Sequence, residues 1–307
     1  MPERLLVVTD PMNDCDDMVA LYMLKHPEVR CEGLIATYGN ASTRAKAAKK
    51  FLLMANRDVP VFYSNNAKKM PYSPYHMEEA DYNFLTRDDL HATDADSGIS
   101  PDGEDFMERI IKSNPGQISI LSIAPLTVLA SVLRRAGPQS VKTIYLMGGH
   151  VGKYLNMPDP PYYRAKAPEY NFECDPDAAR NVILSGAHIK TVGKNLWAKD
   201  LFTVEDFEPL SRGSMPQKKI FDMIMARYAH NKKNLEPLGI GVELFMYDPI
   251  TLGVVLFPEL YDFERIEMVV DENGITHTKP AKEGNVYGAV DADLVEIKKR
   301  LLNLIAG

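Results

Sequence analysis

The chain has 307 residues, 45% of them hydrophobic, enough for a large core. Its net charge is −7, and it has no basic block beyond pairs such as Lys49-Lys50 and the short run Lys298-Lys299-Arg300, which argues against nucleic acid or an anionic membrane as partner. Cys15, Cys31 and Cys174 are far apart with no CxxC spacing, so neither a zinc ribbon nor a disulfide framework is expected, and without a signal segment or a membrane-length apolar run the chain reads as soluble and cytoplasmic.

In chain order, apolar runs alternate with helical patterns. LLVVT (5–9) predicts a strand buried on both sides, DDMVALYMLKH (16–26) a helix, CEGLIATY (31–38) a strand, ASTRAKAAKKFLLMAN (41–56) a helix and VPVFY (59–63) a strand. After a polar stretch come a helix at 105–113, a strand at 118–123, a helix at 125–136 and a strand at 143–149. A helix opened by Asp175-Pro176 and stopped by Gly186 follows, then a strand at 189–193. Toward the end, 215–234 predicts a helix, 263–280 a β-hairpin turning at Glu272-Asn273-Gly274, and 291–307 a terminal helix. Strands without alternation, separated by amphipathic helices, predict an α/β fold with a mostly parallel open sheet covered on both faces, in one domain spanning 1–307. Three long segments, near 64–100, 149–172 and 194–214, carry no regular pattern; loops of that length in a compact domain are often functional.

The segment DPMNDCDD (10–17) sets four aspartates in eight residues directly after the first strand. Asp16 and Asp17 suit the first turn of a helix, where carboxylates gain roughly 0.3–1 kcal/mol each from the helix dipole, with Asn13 or Asp14 as cap. That reading leaves Asp10 unexplained at the mouth of a buried strand, in the place where open parallel sheets bind ligands. A hard cation accounts for the whole set: Ca²⁺ takes oxygen ligands, Mg²⁺ is the weaker rival, and zinc is disfavoured without a His/Cys cluster. The spacing is not that of an EF-hand, which needs a Gly at the sixth loop position and a Glu at the twelfth.

TDPMNDCDD after an apolar strand resembles the N-terminal signature of the inosine–uridine-type nucleoside hydrolases. GLIATYGN (33–40), LSIAPLTVLA (121–130), IYLMGG (144–149), APEYNFECDPDAA (167–179) and MYDPITL (246–252) are similar to further family segments, in the family's order. The resemblance implies a nucleoside hydrolase-like fold with a small C-terminal hairpin and terminal helix. It implies Ca²⁺-dependent hydrolysis of the N-glycosidic bond of a ribonucleoside, or of a modified nucleoside or N-riboside. It also implies a homo-oligomer, dimer or tetramer. Carried over by position, the metal ligands are Asp10, Asp17, Asp248 and the Ile123 carbonyl, with Asp10 also the base. The ribose hydroxyls fall to Asp16, Asn40, Glu169 and Asn171, with Asn156 as a further candidate in the loop after Met-Gly-Gly.

Such a site suits the chemistry, because an oxocarbenium-like transition state needs an activated water, nearby anions and a leaving group that can depart. Val8 and Met12 stand where the signature carries Asp and Gly, and Tyr247 where many members carry a His that helps the base leave. Tyr247, Trp197 and His91 are the candidates for contact with the base or leaving group, and Tyr162, Tyr163 and Tyr228 are other aromatic residues that can stack on it. The alternative reading is a nucleoside- or sugar-binding homologue that keeps the metal site without efficient turnover.

Overall fold

The computed structural model describes residues 1–12, 14–66, 84–151, 168–197, 202–234, 236–238 and 244–307, without the side chains of Trp197 and Leu238. The chain begins β1 (Glu3–Thr9), α1 (Asp16–Met23), β2 (Val29–Thr37), α2 (Ala41–Met54) and β3 (Val61–Ser64). It continues with α3 (Arg87–His91), β4 (Ile99–Ser100), α4 (Gly103–Ser113), β5 (Ser119–Ile123), α5 (Thr127–Ala136) and β6 (Ile144–Met147). Next come α6 (Tyr170–Cys174), α7 (Pro176–Ile183), β7 (Ile189–Val192), α8 (Lys194–Trp197), α9 (Val204–Phe207), α10 (Met215–Asn234) and α11 (Tyr247–Leu256). The end is β8 (Tyr261–Val270), β9 (Thr276–Pro280), β10 (Val286–Ala292) and α12 (Leu294–Ala306).

The strands form a ten-stranded sheet in the order β4-β3-β2-β1-β5-β6-β7-β10-β8-β9. β1 through β7 and β10 run parallel, and β8 pairs antiparallel with both β10 and β9. The chain steps outward from β1 to β4, then returns to lay β5 against the other side of β1, so the winding reverses between β1 and β5. That reversal opens a crevice at the strands' carboxyl ends.

β1 reads as an unbroken apolar run because both of its faces are covered. Leu5 and Val7 pack with α1, α2, α10, α11 and α12, whereas Leu6 and Val8 pack with α4, α5 and α7. Each of these four side chains is fully buried, contributing about 1.5–3 kcal/mol. Val8 is therefore a core residue. Among the described residues no helix is long and apolar enough to cross a membrane.

The structure departs from expectation in a few places. α1 ends at Met23, three residues before the predicted end at 26, and the 291–307 helix starts at Leu294 behind an Asp293 cap that accepts from the Glu296 amide at 3.0 Å. The expected hairpin forms, with Gly274 at φ 82°, yet it is not a separate appendage. β10, which has no strand signature of its own, inserts between β7 and β8 and joins the hairpin to the main sheet. Where they are described, the long segments include α3, β4, α8 and α9.

Close approach explains the glycine that opens the GLIATYGN segment. A Cβ on Gly33 would lie 2.4 Å from Phe106 Cε1, and the Phe106 ring stacks on Phe62 at 4.2 Å between centres, fastening α4 to β2 and β3. Gly33→Ala should cost about 1–3 kcal/mol in urea unfolding, because the ring must move within a packed layer. An unchanged midpoint would mean that α4 is only loosely docked.

Candidate functional site

Three element ends meet at the crevice. β1 delivers Asp10; α1 begins with Asp16 and Asp17, behind Cys15, which makes no side-chain cap; α11 begins with Tyr247 and Asp248. Two helix N-termini thus point positive dipole ends at one cluster of acids. Asp10, Asp16, Asp17 and Asp248 are only 4%, 2%, 3% and 5% exposed. Asp16, Asp17 and Asp248 each offer a carboxylate oxygen, and these atoms lie within 4.8 Å of one another.

Local hydrogen bonds aim these groups. Asp17 Oδ1 accepts from the Thr9 hydroxyl and from the Asp10 amide, the latter at 3.2 Å, while Asp16 Oδ2 accepts from the Asp248 amide at 3.2 Å. Ile123, the last residue of β5, is in register with Thr9, so its carbonyl is placed at the same end of the sheet as Asp10.

Charge defines what the cluster can hold. Burial pushes the Asp10 carboxyl up to about 7, opposed by Arg44 and reinforced by Asp16. Burial followed by mutual repulsion drives Asp16, Asp17 and Asp248 well above the carboxylate range. Two guanidiniums offset part of this: Arg44 Nη1 lies 3.3 Å from Asp10 Oδ2, and Arg227 Nη2 lies 2.9 Å from Asp14 Oδ2. Among the described residues, five carboxylates (Asp10, Asp14, Asp16, Asp17, Asp248) against two guanidiniums leave −3 when all are ionised. An oxygen-only donor set with that surplus fits a hard divalent cation.

Beside the cluster is a second polar group of residues. Glu169 caps α6: Oε1 accepts from the Asn171 amide at 2.9 Å, and Oε2 accepts from Phe172 at 3.2 Å and Gly149 at 3.3 Å. Burial pushes Glu169 up to about 7, against the pull of those amides and of Lys194. Asn171 Nδ2 donates to the Met147 carbonyl at 3.4 Å and contacts Met147 Sδ at 3.0 Å. The Tyr38 and Tyr170 rings meet edge to face at 6.5 Å; burial raises both phenols and the neighbouring Cys174 thiol.

Of the residues predicted from sequence, Asp10, Asp16, Asp17, Asp248 and Ile123 lie at one end of the sheet. Among the described residues, however, the carboxylates at ligand spacing are Asp16, Asp17 and Asp248, so Asp16, expected at the sugar, joins the group in which Asp10 was expected. Glu169 and Asn171 stand together at the start of α6. Asn40 follows β2, where its side chain accepts from the Thr43 amide at 3.3 Å and caps α2. Tyr247 is half-buried and stacks on Phe245, ring centres 5.0 Å apart. His91 is exposed at the end of α3, which Lys46 ties to α2 by donating to the Ala92 carbonyl at 2.6 Å. Asn13, Asn156, Tyr162 and Tyr163 lie outside the described residues, as does the Trp197 side chain; Tyr228 packs against the core.

Sequence reasoning missed Arg44, Arg227, Thr9, Tyr38 and Tyr170. For Arg44 a signal existed: it falls on the buried stripe of α2 with Ala41, Ala45, Ala48, Phe51 and Leu52, where a charge needs a reason.

Residues 5–298 match the family model for the inosine-uridine preferring nucleoside hydrolase. The chain is 26% identical over 285 residues to the probable uridine nucleosidase 1 of Oryza sativa subsp. japonica, covering 89% of this chain and 82% of the relative. It is 27% identical over 292 residues to uridine nucleosidase 1 of Arabidopsis thaliana, covering 89% and 80%. A solved plant nucleoside hydrolase, PpNRh1, superposes with a TM-score of 0.80 at 22% identity, covering 100% of both chains, and so shares the fold.

Met12 resolves one oddity of the acidic turn. Its φ is 74°, the left-handed conformation for which the signature's glycine is suited, and its side chain is fully buried in the core. Met12 thus exchanges backbone strain for packing. Met12→Ala keeps the strain and loses the packing, about 2–5 kcal/mol. Met12→Gly loses the same packing but relieves the strain, so it should be the more stable of the two by about 1 kcal/mol in urea unfolding. Alanine above glycine would show that the turn carries no strain.

Proposed function

The chain belongs to the inosine-uridine preferring nucleoside hydrolase family, hydrolases acting on N-glycosyl compounds, and on that premise we propose that it splits a pyrimidine ribonucleoside into ribose and free base at a Ca²⁺ site. The observation that carries the reading is the convergence of Asp16, Asp17 and Asp248 beside Asp10 at the sheet's switch point. The names of the rice and Arabidopsis relatives favour uridine.

In this reading Asp10, Asp17, Asp248 and the Ile123 carbonyl would hold the cation, with Mg²⁺ a poorer fit than Ca²⁺. When bound, it would supply a Lewis acid for the ribose hydroxyls and for a water. Asp16, Asn40, Glu169, Asn171 and Asn156 bind the sugar hydroxyls. Asp10 takes a proton from the water as its oxygen bonds to the sugar's anomeric carbon; the electrons of the glycosidic bond leave with the base nitrogen. The carboxylates stabilise the positive charge that develops on the sugar ring. Tyr247, backed by Phe245, offers the base a stacking face and a hydroxyl donor in place of an imidazole. Trp197 and His91 are further contacts for the base. The proposal extends to a cytoplasmic homo-oligomer of single-domain chains.

Reducing-sugar release from a panel of nucleosides tests the activity. Uridine should be turned over, and Asp10→Ala should lower kcat by about 10²–10⁴-fold. Retained nucleoside binding without turnover on any member of the panel would favour the binding-protein alternative.

The cation is tested by chelation and pH. With Asp10 raised to about 7, the metal-free protein has stability from the protonated carboxyl that is present below its unfolded pKa and lost as pH rises through about 7. The Tm of chelated protein should therefore fall between about pH 4 and 7, and the Tm gain on adding Ca²⁺ should grow over the same interval. A gain independent of pH would count against a carboxylate-held ion.

A further inference from the structure

Arg44 is the largest fully buried side chain among the described residues, at 0% exposure, on a helix face otherwise made of alanines and apolar residues. Its Nη1 donates to the Asp10 carbonyl at 2.7 Å and to Asp10 Oδ2 at 3.3 Å. Its guanidinium also sits under the turn that leads to Asn40: a Cβ on Gly39 would lie 2.9 Å from Nη2 and 3.2 Å from Cζ and Nε. A charge is expensive to bury, and alanine, as at positions 41, 45 and 48, would serve helix packing alone.

We infer that Arg44 is a positioning residue: it grips Asp10 by carbonyl and carboxylate together, and it stands as a fixed positive charge beside the cation site. This rests on the Ca²⁺ reading above. Two consequences follow from the geometry. With Oδ2 held by Arg44, Asp10 keeps Oδ1 for its partners at the site. A guanidinium that close also repels a cation, so the site gives up affinity for the ion in exchange for a fixed carboxylate.

The test measures Ca²⁺ binding to chelated protein by calorimetry, alongside kcat, KM and Tm. Arg44→Gln should bind Ca²⁺ at least about tenfold more tightly. Its kcat at saturating Ca²⁺ should fall by about a hundredfold, with KM within about threefold. Loss of packing would not produce tighter binding with slower turnover. Weaker Ca²⁺ binding, or unchanged kcat, in a variant of wild-type Tm would overturn the inference.

Arg44→Lys keeps the charge without the two-point grip, and it decides the matter if Arg44→Gln fails to fold. It should bind Ca²⁺ within about threefold of wild type, with kcat at least about tenfold lower. Wild-type turnover in Arg44→Lys, or a tenfold change in its Ca²⁺ affinity, would overturn the inference. Wild-type protein that binds no Ca²⁺ would sink the metal reading instead; the kcat of the two variants would still test the grip on Asp10.

Discussion

Four carboxylates out of water at one point is the condition around which this molecule is arranged. Asp10, Asp16, Asp17 and Asp248 come from three separate elements and repel one another in a place where solvent cannot screen them. The fold answers with every device that elementary chemistry offers. Two helix N-termini face the cluster, backbone amides of Asp10 and Asp248 donate into it, Thr9 adds a hydroxyl, and Arg44 and Arg227 bring full positive charges. The compensation among the described residues is incomplete, and the surplus of negative charge is what lets the cluster hold a cation.

The sheet explains why the cluster forms where it does. β1 is central, buried on both faces, and flanked by β2 and β5. Each strand ends in a candidate site residue or is followed by one: Asp10 after β1, Asn40 two residues beyond Tyr38 after β2, and Ile123 at the end of β5. After β6, Gly149 donates to Glu169, so that carboxylate is held by the same kind of backbone donor that orients the acids. Parallel register brings these ends level, and the reversal of winding leaves a gap between them.

The legible parts of the sequence were those governed by local chemistry. β1, α2, α10 and the Asn-Gly hairpin follow from apolar runs, helical periodicity and turn residues. The acidic turn was visible because four aspartates in eight residues are improbable without a cause. β10 was not visible: its strand character comes from pairing with β7 and β8, and pairing is not written in a seven-residue segment containing Gly288 and Asp291. Met12 was visible as a departure, but its left-handed backbone and buried side chain could be seen only in place.

The sequence by itself determined the two-sided parallel sheet and the types of residue at the site, because periodicity and residue chemistry act over a few positions. Tertiary structure alone decided which acids face one another. It set Asp248 against Asp16 across 232 positions of chain, and it placed the Arg44 guanidinium on Asp10 from another helix. Those pairings set the charge balance of the site, and charge balance depends on distance in space and on burial, neither of which has a signature along the chain.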